Sequence, residues 1–215
     1  MDKVKFILDR AHGKDVKGKA SPDGSFREWE YSQRVVDALS SELDKLNIPY
    51  AINVPEETEP WFTERITRAN RFSEGVLYPF LISFHNNAAP KNIQGKAQGN
   101  EVYIRQGAGE RDKLLGNTFA VNLKKDFPEM KWRQKWNDKL YKTANFAILK
   151  GYNGIKPKYT GALIEFGFMD NPSDLELLKD ENIFKRYIDS LLYSITCICD
   201  HYGYMNFMKQ KTITP

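Results

Sequence analysis

Short runs of β-branched and aromatic residues recur along this chain, and most are followed by a longer stretch whose apolar residues keep helical spacing. That alternation constrains the fold more than any other feature, because strands buried on both faces need helices to cover them. The runs at 4–8, 49–54, 78–84, 101–105, 146–149 and 162–168 predict strands. Stretches 27–46, 61–72, 114–127 and 183–202 predict helices; in the first, Tyr31, Val35, Leu39, Leu43 and Leu46 share one side. Residues 18–24 and 92–99 read as loops. The expected fold class is α/β, a single domain with helices packed around one largely parallel sheet. A length of 215 residues suits one such domain with a substantial core. The domain is expected over 1–203, with 204–215 a polar tail that frays from about Gly203. Residues 124–142, irregular and rich in Lys and Trp, read as an insertion over a site.

Charge narrows the class only slightly. The 32 basic and 28 acidic residues leave a net charge of +4, spread along the chain and not gathered in a stripe. A nucleic-acid binder usually concentrates such charge, but mild basicity suits any anionic surface. Cys197 and Cys199 lie two apart within a predicted helix, on different faces, and are expected as reduced thiols. The apolar run near Met1 is too short for a signal peptide, and no stretch has transmembrane length. The chain is therefore expected to be made in the cytoplasm.

Only three histidines occur. His12 and His85 each follow a predicted strand, at the carboxyl end where ligands bind in α/β sheets. His201 falls on the last predicted helix and reads as a surface or packing residue. Imidazole and carboxylate together suit zinc, which in catalytic sites takes three protein ligands and leaves one position open. On spacing alone, Glu28 or Glu30 at the start of the first helix supplies the third ligand. Glu165 stands alone among apolar residues in Gly161-Ala162-Leu163-Ile164-Glu165-Phe166-Gly167-Phe168. A carboxylate there is costly unless it is paired, protonated or put to use, for example as a general base.

These segments resemble the zinc-dependent N-acetylmuramoyl-L-alanine amidases of type 3, found in bacterial autolysins and phage endolysins. Matching pieces occur in the family's order. They are Ile7-Leu8-Asp9-Arg10-Ala11-His12-Gly13, Gly24-Ser25-Phe26-Arg27-Glu28-Trp29, Arg65-Ile66-Thr67-Arg68-Ala69-Asn70, Leu81-Ile82-Ser83-Phe84-His85-Asn86-Asn87 and Leu163-Ile164-Glu165-Phe166-Gly167-Phe168-Met169-Asp170-Asn171. The resemblance implies a mixed, mostly parallel sheet with helices on both faces, and Zn2+ held by His12, Glu28 and His85. It implies Glu165 as the catalytic carboxylate and Asn87 as a substrate contact, with Arg65 and Asn70 as structural support. Glu30 stays the alternative to Glu28. Ala11 departs from the family, which has glycine there, and residues 107–159 match it poorly.

The implied reaction is hydrolysis, by zinc-activated water, of the amide between N-acetylmuramic acid and L-alanine. The expected partner is peptidoglycan, with no nucleic acid and no membrane insertion, and the chain is expected to act as a monomer. Without a signal peptide, it is expected to reach the wall after release, as an endolysin does, or to stay cytoplasmic. The competing readings are another zinc hydrolase on the same fold, a carboxypeptidase or deacylase, and a catalytically silent wall-binding module.

Overall fold

The computed structural model describes residues 3–133 and 139–204. Along the chain run β1 (Val4–Arg10), α1 (Glu28–Lys45), β2 (Tyr50–Ile52), α2 (Phe62–Phe72), β3 (Tyr78–Asn87), β4 (Glu101–Arg105) and α3 (Glu110–Asp126). Then follow β5 (Lys142–Ala144), α4 (Ala147–Lys150), β6 (Thr160–Phe168), α5 (Pro172–Lys179) and α6 (Glu181–His201). The six strands form one sheet in the order β2-β1-β3-β6-β4-β5. Strands β2, β1, β3 and β6 are mutually parallel; β4 lies antiparallel to β6 and carries β5 parallel to itself. The sheet is mixed and mostly parallel, as the resemblance implies.

The period-2 alternation of strand side chains decides what each face does. On one face Val4, Phe6 and Leu8 of β1, Phe80, Ile82 and Phe84 of β3 and Ala162, Ile164 and Phe166 of β6 join the larger core with α1, α3 and α6. Burying a Leu or Phe side chain of this kind contributes about 1.5–3 kcal/mol. On the other face Ile7, Leu81 and Leu163 form a smaller core with Ile66 and Ala69 of α2 and Ile148 and Leu149 of α4. Two residues further along the same face, each strand turns polar: Asp9, Ser83 and Glu165, with His85 next on β3. The small core thus ends where a site can begin.

Three elements differ from the sequence expectation. Residues 146–149 are not a strand: Phe146 is extended, Ala147–Lys150 form one helical turn, and Gly151 at φ 99° ends it. Ile148 and Leu149 are consecutive and both buried in the small core, which one turn lying on the sheet allows. The edge strand comes instead from Lys142–Ala144, paired with β4. Helix α5 was not expected, although Asn171 caps it by accepting from the Ser173 and Asp174 N–H groups with Pro172 in its first turn.

Residues 124–126 close α3. Met130 joins the larger core, with Trp132 packed against it. Among the described residues of 124–142, none lines the cavity at the sheet's mouth, and 134–138 fall outside the described residues. Gly203 and Tyr204 are tied back, their N–H groups donating to Asp200 and Cys199 carbonyls, so fraying does not begin at Gly203. The rest of the expected tail, 205–215, lies outside the described residues. Cys197 and Cys199 are unpaired thiols in α6. Among the described residues no helix is long and apolar enough to cross a membrane.

Candidate active site

His12 lies just beyond the carboxyl end of β1 and His85 near that of β3, whose strand is paired directly with β1. Glu28 opens α1, its backbone N–H held by the Lys19 carbonyl. The three side chains converge, with one donor atom from each within 4.8 Å of the others. Glu28 Oε2 is 3.5 Å from His12 Nε2, and Glu28 Oε1 is 2.8 Å from His85 Nδ1. Both distances fit within the span of two zinc bonds of about 2.1 Å. Glu30, two residues on, is exposed to solvent, whereas Glu28 is buried. Glu28 Oε1 also accepts from the Asn86 N–H, but Oε2 has neither solvent nor a hydrogen-bond partner. A buried carboxylate oxygen left bare between two imidazoles, in a His–Glu–His donor set, fits a divalent cation and zinc in particular.

The three groups set one another's charge. Burial pushes the Glu28 carboxyl up, but His85 and His12 outweigh it and hold it below the ordinary range. His85 is raised because the attraction of Glu28 overcomes its burial. His12 is pushed down to about 4, first by burial, and so stands as a neutral imidazole.

The backbone around His12 is built for this placement. His12 has φ 46°, a left-handed conformation that costs a non-glycine residue roughly 1–2 kcal/mol and persists only where its surroundings enforce it. A Cβ on Gly13 would lie 2.2 Å from the Glu59 backbone nitrogen, so only glycine lets the 55–60 loop come this close. Lys14 N–H then donates to the Glu57 carbonyl, and Glu59 N–H to Asp15. The approach places Glu59 Oε2 3.8 Å from His12 Nδ1. Arg65 holds the other Glu59 oxygen at 3.1 Å and grips buried Asp9 with Nε and Nη2, at 3.2 and 2.9 Å. Asp9 also accepts from Asn53 at 2.7 Å and Ser83 at 2.6 Å. A chain of charge thus runs from β1 through α2 to the back of His12. Nothing in the spacing of Pro55-Glu56-Glu57-Thr58-Glu59-Pro60 marks Glu59; the other two glutamates meet Arg68 and Lys14 at the surface.

Glu165 pairs in register with His85 across β3 and β6. Its Oε2 is buried without a partner, and its carboxyl is pushed up to about 8, chiefly by burial, with Glu28 and Glu101 adding to it. Directly beyond Glu165, β6 carries an irregularity: three β3 residues, from His85 to Asn87, face four on β6, from Glu165 to Phe168. Gly167 absorbs it at φ 71°, where a side chain would be strained. A cavity of about 220 Å³ opens over this cluster, lined by His12, His85, Glu59, Arg65 and Glu165 and bounded by Lys19, Phe62, Phe146 and Ile148.

Other expected residues fall outside the cavity. Asn87 is spent internally, its Nδ2 donating to Glu101 and its Oδ1 accepting from Ala88 N–H. Glu101, opposite Glu165 in the sheet, also accepts from Tyr103, Arg133 and Lys142. Asn70 supports the fold by clamping the Lys156 carbonyl and the Lys158 N–H. His201 is exposed at the end of α6.

A model of the N-acetylmuramoyl-L-alanine amidase family matches residues 6–197. Among curated proteins, none matches the chain. Of the solved structures, an N-acetylmuramoyl-L-alanine amidase from Clostridium difficile 630 is similar, with TM-score 0.78 and 22% identity over 94% of this chain and 99% of that one. The catalytic domain of the amidase CwlV from Bacillus (Paenibacillus) polymyxa var. colistinus has TM-score 0.74 and 16% identity, covering 93% and 99%. The catalytic domain of the CD27L endolysin targeting Clostridia difficile has TM-score 0.60 and 22% identity, covering 90% and 98%. At these identities the likenesses establish the fold, and the sequence match establishes the relationship. Spanning nearly all of both cores and every member of the cluster, that match makes this chain a member of the N-acetylmuramoyl-L-alanine amidase family, a family of hydrolases.

Proposed function

We propose that this chain hydrolyses the amide between N-acetylmuramic acid and L-alanine in peptidoglycan, with His12, Glu28 and His85 holding a zinc ion and Glu165 as the catalytic carboxylate. The observation that carries this reading is the convergence of His12, His85 and Glu28 at one edge of a cavity that His12, His85 and Glu165 line, with Glu28 Oε2 and Glu165 Oε2 both buried and bare. Zinc in such a site supplies Lewis acidity toward a carbonyl oxygen and lowers the pKa of water. Glu165 Oε2, with no protein partner, is free in its ionised form to take the proton of the attacking water and return it to the departing alanine nitrogen, and a carboxyl raised toward neutrality suits both transfers. Glu59 Oε2 stands 3.8 Å behind His12 Nδ1, buried and without a hydrogen-bond partner, and in this reading it orients His12 as carboxylates commonly do for ligating histidines. Asn87 acts on substrate only by giving up its bond to Glu101, and its role in this reading is to hold that carboxylate beside Glu165.

Metal analysis combined with mass spectrometry of digested peptidoglycan tests the reading. Wild-type protein is expected to carry one zinc and to release peptides with a free alanine amino terminus, leaving the sugar strand whole. Glu165→Gln is expected to keep the metal and lose at least 100-fold in rate, within the range for removing a positioned proton-transfer group (roughly 10²–10⁴-fold). Normal digestion of wall by that variant refutes the assignment. Delivery to the wall after cell lysis fits the likeness to an endolysin catalytic domain.

A further inference from the structure

Eight large apolar side chains are exposed among the described residues; two of them line the cavity, a third packs on one of these two, Phe62, and a fourth is the neighbour of Phe62 in the chain. Phe62, at the start of α2, and Phe146, just before α4, line it directly at 42% and 37% exposure. Tyr152, 44% exposed, meets Phe62 with ring centroids 5.9 Å apart. Trp61 precedes Phe62 and is 83% exposed, the largest apolar side chain given up to solvent. Exposing such a group has no folding benefit, and contiguous exposed apolar surface beside a cavity marks something that binds there.

We propose that Trp61, Phe62, Tyr152 and Phe146 form a stacking platform for the pyranose rings of the glycan strand, on the sugar side of the scissile amide. The proposal rests on the amidase reading of the cavity. Its occupant follows from where charge lies: Lys19, Glu59 and Arg65 are in the cavity itself, and the four aromatic residues beside it carry none. A stem peptide carries free carboxylates and amines and calls for charged partners, whereas the pyranose rings of a strand whose lactyl groups are amidated carry no charge and offer flat C–H faces. The four rim residues bear no charge and present aromatic faces suited to such a surface. Continuity supports the same occupant, since Phe62 and Phe146 line the cavity beside His12, His85 and Glu165, Tyr152 packs on Phe62, and exposed Trp61 adjoins Phe62 in the chain.

The test uses the full chain and the variants Trp61→Ala, Tyr152→Ala and their combination, at two residues that do not themselves line the cavity. Binding of N-acetylglucosamine oligomers and of peptide-free glycan strands is measured by calorimetry, beside hydrolysis of whole wall and of a single muramoyl-peptide. The double variant is expected to bind glycan at least tenfold more weakly and to digest whole wall more slowly, while cleaving the minimal substrate within twofold of wild type. Wild-type glycan binding in the double variant overturns the platform, as does wild-type protein that binds no glycan. Equal loss on the minimal substrate also overturns it, since the residues then serve the reaction or the fold. A self-association in sedimentation that disappears with Trp61→Ala while glycan binding persists shows a second copy as the occupant and overturns it too. If wild-type protein binds glycan through these residues yet cleaves no muramoyl-peptide, the platform stands and the amidase reading fails.

Discussion

The pair Asp9–Arg65 is the structural root of the site, and replacing Arg65 by Met exposes how much depends on it. Asp9 is wholly buried and Arg65 is 2% exposed, so the ion pair lies outside the reach of solvent screening. Removing one partner of a buried pair costs about 3–5 kcal/mol, because the remaining charge stays buried and uncompensated. Asp9 keeps its donors Asn53 and Ser83, which pulls the cost toward the lower end; the Arg10 carbonyl and Glu59 each lose a bond, which pulls it back. For a chain of this size each kcal/mol shifts the midpoint by roughly 2–4 °C, so Arg65→Met is expected to lower Tm by about 6–20 °C. The assay is thermal and urea denaturation at pH 7 with chelator present, so that metal binding does not mask the change. Asp9→Asn/Arg65→Met removes both charges and is expected to recover part of the loss, with a coupling energy of about 1 kcal/mol or more. Additive single losses, or a cost below about 1 kcal/mol for Arg65→Met, refute the account of Arg65 as the partner that makes Asp9 tolerable.

The remaining perturbations act closer to the His12–Glu28–His85 cluster or at Glu101 of β4. Glu59→Ala is expected to weaken zinc affinity about 10–100-fold in competition with a chelator while leaving the fold intact, and Glu59→Asp to restore part of it. Unchanged affinity rules out Glu59 as the support of His12. Burial raises the Glu101 carboxyl, but hydrogen bonds from Lys142, Tyr103 and Arg133 outweigh it and leave it below the ordinary range. Its folded pKa is thus below its unfolded one, so Glu101 stabilises the fold above the ordinary glutamate range and that contribution is lost as pH falls through the depressed value. Urea titrations from pH 7 down to pH 3 are expected to show a flatter acid limb for Glu101→Gln; an identical pH slope contradicts the linkage.

What the sequence reveals follows from periodicity, and what it hides follows from distance along the chain. Strands β1, β3 and β6 are legible because each is buried on both faces and reads as a near-continuous apolar run. His12, His85 and Glu165 are legible for the same reason, as polar residues that interrupt or end those runs. Strand β5 is not: its three residues, Lys142, Thr143 and Ala144, form an edge strand with no apolar pattern. Helix α4 misleads because four apolar residues in a row cannot reveal whether they wrap one turn or extend. The choice between Glu28 and Glu30 turns on burial, which two acids in one helical turn do not announce.

Glu59 is the most instructive miss. It sits in a loop with three glutamates, and only the 2.2 Å that a Gly13 side chain would leave to its backbone brings it to His12. The glycine after the histidine therefore serves less to free the histidine's own loop than to admit a second loop behind it. That also accounts for the tolerance of Ala11 where the family has glycine: Ala11 is buried with no need for positive φ, and the strain is carried by His12 itself. A side chain at position 13 is therefore expected to displace Glu59 and Arg65 together, loosening the site from its buried root at Asp9.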